Sequence, residues 1–265
     1  MIRPVIRVGV VGATGRMGRE ACRAVAADPD LTLVAAVSRS EPGATLADAI
    51  GLEGASASVV LVENLEAMRE AHIDVLVDFT APRHAPDHVA WGIANGVHVV
   101  VGTTGFEIDP SWGDAPVGIV VAPNFAIGAV LLMRFAEQAA RHLPSAEVIE
   151  LHHDGKLDAP SGTALLTARR IAAARGSSHP SPATEEGQAG ARGADVDGVP
   201  VHSVRLPGLV AHEEVIFGGE GQTLTLRHDS TDRTSFMPGL LLAVKAVGHR
   251  RGLTVGLEAL LDEAP

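Results

Sequence analysis

In the first half of the chain, short unbroken apolar runs take turns with segments of helical spacing. Residues 5–11 form an apolar run that Gly12 breaks. Residues 17–27 set Met17, Cys22 and Val25 on one helical face, and residues 31–37 form a second run. That succession predicts strand, helix, strand. Further strands are expected at 58–62, 75–79, 97–101 and 118–122. A short helix or loop is expected at 45–51, and helices at 65–71 and 86–95, the last stopped by Gly96. Apolar strands separated by helices imply a parallel, doubly wound sheet, because helical crossovers join parallel strands and cover both faces.

After Ala122 the pattern changes. Residues 127–142 read as a long amphipathic helix, 146–151 as a strand and 163–175 as a helix. Residues 176–198 are rich in Gly, Ser, Pro and charge and read as a mobile loop. Residues 201–206, 213–217 and 223–228, set between Gly-rich turns, predict antiparallel strands. Residues 235–248 are helical with Pro238 in the first turn, and 253–261 form a last element. The expected fold is α/β. A Rossmann-like dinucleotide-binding domain spans 1–126, with 236–265 returning to it. A second α+β domain, for substrate and oligomer contacts, carries an open mixed sheet over 127–235.

Composition narrows the partners. A chain of 265 residues can build two domains, and 46% of them are hydrophobic. Only 3% are aromatic and none is tyrosine, so Ala, Val and Leu must fill the cores. The formal net charge of −11 argues against a nucleic-acid surface, which needs a basic face, yet permits a local basic pocket. No apolar run reaches the roughly 18 residues of a membrane span, and residues 1–7 lack the apolar stretch of a secretory leader. A cytoplasmic protein without a membrane partner is expected. The sole cysteine, Cys22, excludes an internal disulfide, and its helical face predicts burial.

Gly12, Gly15 and Gly18 follow a strand and open a helix, the setting in which a glycine turn cradles a pyrophosphate. Glycines let the backbone approach the phosphates, and the helix start supplies N–H donors. Ala13, Thr14, Arg16 and Met17 complete the turn. After the second strand stand Ser38 and Arg39, with no acid to grip a ribose 2′-hydroxyl; Arg39 can instead pair with a 2′-phosphate. NADPH is therefore expected to serve at least as well as NADH. Gly102-Thr103-Thr104-Gly105 and Ala122-Pro123-Asn124-Phe125 each follow a strand directly, which places Thr104 and Asn124 within reach of the nicotinamide end.

The other chemistry lies at 152–164. Hydride addition leaves electron density that needs a proton, and an imidazole suits that task near neutral pH. His152 and His153 point to opposite sides if they extend a strand. Lys156 supplies a cation for a substrate carboxylate or for proton delivery. Pro160-Ser161-Gly162-Thr163-Ala164 reads as a helix entry whose free N–H groups and Thr163 hydroxyl form a second anion site. A small dicarboxylate fits this layout better than a phosphate. No metal is expected, because the paired histidines lack further ligands at usable spacing. Asp158 is placed to orient Lys156 or cap the turn. Arg192-Gly193-Ala194-Asp195 is either a flap that closes over substrate or a solvated linker. The residues alone leave two rivals open: another two-domain NAD(P) reductase, such as a semialdehyde dehydrogenase, or a nucleotide sensor without turnover.

Glu150-Leu151-His152-His153, Lys156 and Asp158-Ala159-Pro160-Ser161-Gly162-Thr163-Ala164 match the pattern E-x-H-H-x-x-K-x-D-x-P-S-G-T-A. The segments 11–18, 78–80, 102–106 and 122–125 match in order as well. The chain resembles the dihydrodipicolinate reductase family nearly end to end. The resemblance implies reduction of hydroxy-tetrahydrodipicolinate, with loss of water, in the diaminopimelate and lysine pathway. It implies His152 as proton donor and acceptor, with Lys156 assisting, and His153, Gly162 and Thr163 binding substrate. The cofactor would be held by Gly12 to Met17, Arg39, Gly102 to Thr104 and Ala122 to Phe125. It also implies a homotetramer joined through the second domain's sheet, closing about hinges between the domains. Two departures stand out. Asp154-Gly155 occupies a pair that often carries a histidine, and Ser38 stands where many members have an acid.

Overall fold

The computed structural model describes residues 5–176 and 185–263. Its strands are β1 (Ile6–Val11), β2 (Leu31–Val37), β3 (Leu61–Val62), β4 (Val75–Asp78), β5 (His98–Val101), β6 (Gly118–Val121), β7 (Ser145–His152), β8 (Ala194–Val196), β9 (Val199–Arg205), β10 (Ala211–Gly219), β11 (Gln222–Ser230) and β12 (Gly252–Val255). Its α-helices are α1 (Arg16–Ala27), α2 (Leu46–Ile50), α3 (Ala85–Asn95), α4 (Ile127–Ala140), α5 (Gly162–Arg175), α6 (Met237–Val247) and α7 (Glu258–Asp262). Two compact units result: residues up to Phe125 with those from Phe236 onward, and Ala126–Ser235.

The first unit is built on a parallel sheet in the order β12-β6-β5-β4-β1-β2-β3. Strand order reverses between β1 and β4, the switch point beyond which open α/β sheets bind ligands. Every residue of β4 and β6 is buried, as befits strands covered on both faces. The core is rich in valine, including Val11, Val37, Val99, Val101 and Val121 around Leu76, Ile119 and Trp112. Branched side chains suit the pleated surface and make up for the scarcity of aromatics. Lys245 on α6 reaches Asp28 and Asp30, each at 2.8 Å, which ties α6 to the turn after α1. α3 stops at Gly96, which takes a left-handed conformation (φ 69°).

Local departures from expectation have local causes. Residues 65–71 form a 3₁₀ helix, Glu66–Ala71, one short stretch held by the Asn64 side chain and ended by left-handed His72. The strand expected at 58–62 shrinks to β3 because Ala55–Ser58 curls into a 3₁₀ turn. The last element, 253–261, divides at Gly256 (φ 82°) into β12 and α7.

The second unit is a mixed sheet in the order β11-β10-β7-β9-β8, with α4 and α5 on one face. Leu132, Ala136, Ala164, Ala168 and Ile171 of those helices pack on Val148, Val199, Val201, Val215 and Phe217. Residues 201–206 do not join an all-antiparallel set: β9 pairs parallel with β7, because the chain crosses over through α5 between them. The mobile loop expected at 176–198 is also corrected. Residues 177–184 lie outside the described residues. Farther on, β8 pairs with β9, Arg192 forms an ion pair with Glu147 of β7, and Asp195 accepts the Gly198 N–H (3.1 Å). The 192–195 segment is therefore bound to the sheet, not a free flap or linker. Among the described residues no helix is long and apolar enough to cross a membrane.

Candidate active site

The turn between β1 and α1 is too tight for side chains at two positions. Gly12 has φ +80°, and a Cβ there would sit 2.4 Å from the Phe79 carbonyl oxygen. A Cβ on Gly18 would sit 2.0 Å from the Gly12 carbonyl oxygen. Both glycines let strand, turn and helix close together. Gly15 caps α1 from its backbone alone; no side chain caps the helix and no acid stands in its first turn. The first-turn N–H groups, around Arg16 and Met17, are thus left for an anion. This turn fits the pyrophosphate of a dinucleotide.

Behind the turn, Thr14, Ser38 and Ser40 share hydroxyl hydrogen bonds of 2.7, 3.0 and 3.2 Å, with Ser38 buried and Arg39 exposed beside them. A hydroxyl cluster occupies the place where an acid would meet a ribose. The loops after β5 and β6, carrying Gly102 to Thr104 and Ala122 to Phe125, leave the same C-terminal edge of this sheet as the glycine turn. Thr104 is exposed there, whereas Thr103 is turned inward. Thr103 donates to buried Asp78 (3.0 Å) and accepts the Thr80 N–H (2.9 Å). Asp78 also binds His88 Nδ1 (2.7 Å) and the Thr80 hydroxyl (2.7 Å). Burial alone would raise the Asp78 carboxyl, but the hydrogen bonds and charge of His88 and the Thr80 contacts hold it below its ordinary value. Ala122 and Phe125 are buried, and a Cβ on Gly102 would strike the Phe79 ring at 2.2 Å. Part of this edge is therefore a packed support for the rest.

In the second unit, β7 alternates Ala146, Val148, Glu150 and His152 toward the helices. Glu150 is fully buried. One of its oxygens, Oε2, takes the His152 Nδ1 contact and Arg205 Nη1 (2.9 Å); the other, Oε1, takes Arg205 Nη2 (2.8 Å) and the Ser161 N–H (3.2 Å). Burial would raise this carboxyl, but hydrogen bonds from His152, Arg205 and Ser203 bring it down from 4.5 to about 2. His152 uses Nδ1 for Glu150, which leaves Nε2 as the ring nitrogen outside that contact. Arg205 also donates to the Asp158 carbonyl (2.5 Å), which pins the loop that carries Lys156.

Lys156 Nζ lies 2.7 and 2.9 Å from the two Asp158 oxygens, so Asp158 orients it. Ser161 caps α5 by accepting the Ala164 N–H (3.2 Å), and its carbonyl takes Leu165 (3.0 Å). The N–H groups of Gly162 and Thr163 have no partner among the described residues. His153 follows the end of β7 and is partly exposed. His152, Lys156, Gly162 and Thr163 are thus gathered by one strand end and one helix start. Two members of the cluster were not picked out from sequence as working residues: Glu150, quoted only within the motif, and Arg205, which is distant in the chain. Glu150 left a signal, a charge in the inward phase of an otherwise small and apolar strand.

A doubly wound sheet with a dinucleotide turn, in a chain that also carries an oriented imidazole and an ammonium group, defines an NAD(P)-dependent oxidoreductase. The family model described as dihydrodipicolinate reductase, N-terminus, matches residues 6–125, and its C-terminus counterpart matches 128–261. The chain belongs to the dihydrodipicolinate reductase family. The 4-hydroxy-tetrahydrodipicolinate reductase of Mycobacterium sp. (strain KMS) is 52% identical, covering 97% of this chain and 99% of the relative. The protein of the same name from Mycolicibacterium smegmatis is 51% identical over the same shares. A dipicolinate-bound dihydrodipicolinate reductase from Paenisporosarcina sp. TG-14 superposes with a TM-score of 0.83 at 44% identity, covering 96% of this chain and 99% of that one. An amine dehydrogenase from Mycobacterium smegmatis, 15% identical with a TM-score of 0.62, shares the fold alone.

Proposed function

We propose that the chain reduces 4-hydroxy-tetrahydrodipicolinate to tetrahydrodipicolinate with loss of water, using NADPH or NADH, in the cytoplasm. When bound, the nicotinamide nucleotide supplies the hydride. Gly12 to Met17 hold its pyrophosphate, Arg39 meets its adenosine end, and Gly102 to Thr104 and Ala122 to Phe125 bound the nicotinamide end. His152 delivers or accepts the proton at Nε2 while Glu150 keeps the ring in place through Nδ1. Lys156 assists by trading its Asp158 partner for a substrate carboxylate. Gly162 and Thr163 N–H groups take the second carboxylate at the α5 start, and His153 adds a contact.

One observation carries the assignment. A single buried carboxylate, Glu150, binds both the candidate proton donor and the N–H of Ser161 at the candidate anion site. A nucleotide sensor has no use for a fixed proton donor beside an anion-binding helix start. The dipicolinate held by the Paenisporosarcina protein, a flat ring with two carboxylates, has the shape this cluster asks for. The face of the second sheet away from α4 and α5 carries Ile149, Leu151, Val204 and Ile216 partly exposed, which supports a homotetramer joined there.

The test is to add freshly made hydroxy-tetrahydrodipicolinate with each nucleotide in turn and follow nicotinamide absorbance. Nucleotide oxidation that depends on the heterocycle is expected. Nucleotide binding without turnover would instead favour a sensor, and sedimentation reads the oligomer.

A further inference from the structure

β4 runs Val75, Leu76, Val77 and then Asp78, all four buried. Asp78 ends the strand at the switch point of the first sheet, beside Val11 of β1 on one side and Val101 of β5 on the other. β1 leads into the glycine turn, and β5 leads into residues 102–105. A buried carboxylate is costly unless donors match it. An apolar residue of similar volume often serves stability as well. An acid at this place therefore calls for a reason beyond stability.

The carboxylate collects four donors. Oδ1 takes the Thr80 N–H (2.7 Å), the Thr80 hydroxyl (2.7 Å) and the Thr103 hydroxyl (3.0 Å), and Oδ2 takes His88 Nδ1 of α3 (2.7 Å). The Thr103 hydroxyl spends its proton on Asp78, which leaves a lone pair for the Thr80 N–H (2.9 Å). One buried group thus joins the end of β4 to the loop after β5. Phe79, fixed between Asp78 and Thr80, packs on the neighbouring loops. Its N–H donates to the Val11 carbonyl (3.1 Å), and the Gly102 N–H donates to the Asp78 carbonyl (2.9 Å). A Cβ on Gly12 would stand 2.4 Å from the Phe79 carbonyl oxygen, and one on Gly102 would stand 2.2 Å from the Phe79 ring. The same ring meets Phe125 edge-on, with centroids 6.0 Å apart at 67°. The glycine turn, the loop after β5 and the loop after β6 all close on this one residue without slack.

We propose that Asp78 is a positioning residue for the nucleotide: through Thr80 and Thr103 it fixes the 78–80 segment, which holds the pyrophosphate turn and the two nicotinamide loops in one arrangement. The proposal rests on the assignment of those three segments to the cofactor. Asp78 has no exposure, so it acts through its neighbours and not by touching the nucleotide. A carboxylate suits the task because all of its neighbours donate and it offers acceptors only. From α3, His88 is steadied in turn by the His84 ring, stacked at 18° with centroids 6.1 Å apart. The effect of Asp78 falls on the part of the nucleotide that the three loops meet, and spares the adenosine end, where Arg39 stands.

The experiment measures, on the full chain, the Kd of NADPH and of adenosine 2′-monophosphate, which reaches the adenosine end alone. Thr103→Val keeps the shape and removes the hydroxyl. Its NADPH Kd is expected to rise about three- to tenfold, as for one lost hydrogen bond, while the Kd of adenosine 2′-monophosphate stays within about twofold. Asp78→Val should raise the NADPH Kd at least about tenfold with the same sparing. Asp78→Asn keeps an acceptor oxygen for the three donors and turns its NH₂ to His88. It should hold the NADPH Kd within about threefold of the parent, with His88 Nδ1 passing from protonated to bare in imidazole 15N spectra. In turnover with hydroxy-tetrahydrodipicolinate, the losses should fall on the NADPH KM more than on the substrate KM. Trp91 and Trp112, both in this unit, report folding by fluorescence. If Asp78→Val does not fold, Thr103→Val and Asp78→Asn decide. Unaltered NADPH affinity in Thr103→Val overturns the proposal. So do equal losses for both ligands, the mark of a merely structural role, and an Asp78→Asn variant as weak as Asp78→Val. If the heterocycle drives no nucleotide oxidation, the proposed reaction fails and the two Kd values still decide the role of Asp78. A chain that binds neither NADPH nor NADH sinks both.

Discussion

Replacing Glu150 by glutamine removes a buried charge while keeping its shape. Two routes give the cost. Lowering the carboxyl from 4.5 to about 2 corresponds to about 3 kcal/mol at roughly 1.36 kcal/mol per tenfold. Independently, removing one partner of a buried ion pair costs about 3–5 kcal/mol, and Arg205 would lose a carboxylate held at 2.8 and 2.9 Å. The glutamine NH₂ would also face donors it cannot satisfy. Because the folded-state value is depressed, the contribution is fully present above pH 4.5 and disappears as pH falls through about 2. The stability gap between parent and Glu150→Gln should thus be about 3 kcal/mol at pH 7 and under half of that at pH 3. Trp91 and Trp112 both lie in the first unit, so tryptophan fluorescence reports on the wrong place. Native-state hydrogen exchange at the amides of β7 and β10 reads the second unit directly. A gap below about 1 kcal/mol at pH 7, or one unchanged at pH 3, refutes the ascription of that stability to Glu150.

Four other variants have expected outcomes. His152→Ala should cut turnover about 10²–10⁴-fold with nucleotide affinity kept, and Lys156→Ala should also lower turnover; losses confined to nucleotide binding in titrations would move either residue out of the substrate site. Arg39→Ala should change the NADPH to NADH preference in kcat/KM by more than about 2-fold, that is, more than roughly half a kcal/mol, and a smaller change means Arg39 is a surface residue. Gly18→Ala places a methyl against the Gly12 carbonyl, where no side chain can yield, and should weaken nucleotide binding by at least about tenfold, the equivalent of 1–3 kcal/mol of strain; an unaltered Kd would show that the turn can open without loss.

Much was legible in the order of residues, because the relevant physics is local. Apolar runs broken by glycine marked the strands of the first sheet, and Gly12, Gly15 and Gly18 announced a tight strand-to-helix turn whatever followed. Ser161 declared the start of α5, since a side-chain cap acts within one turn. His152, Lys156 and Thr163 could be grouped because one strand end and one short loop separate them. Tertiary structure decided what depends on partners far along the chain. The parallel pairing of β7 with β9 brought Arg205 to Glu150 across 55 residues, and nothing local in either segment specifies that meeting. The pinning of 192–195 required Glu147 from another strand. Glu150, matched to Arg205, and Glu213, buried on β10 with one oxygen unpartnered, became neighbours only when β10 settled beside β7. Short-range spacing states which groups are available, but burial and charge come from the whole fold, and those two quantities set the direction in which each carboxyl is shifted.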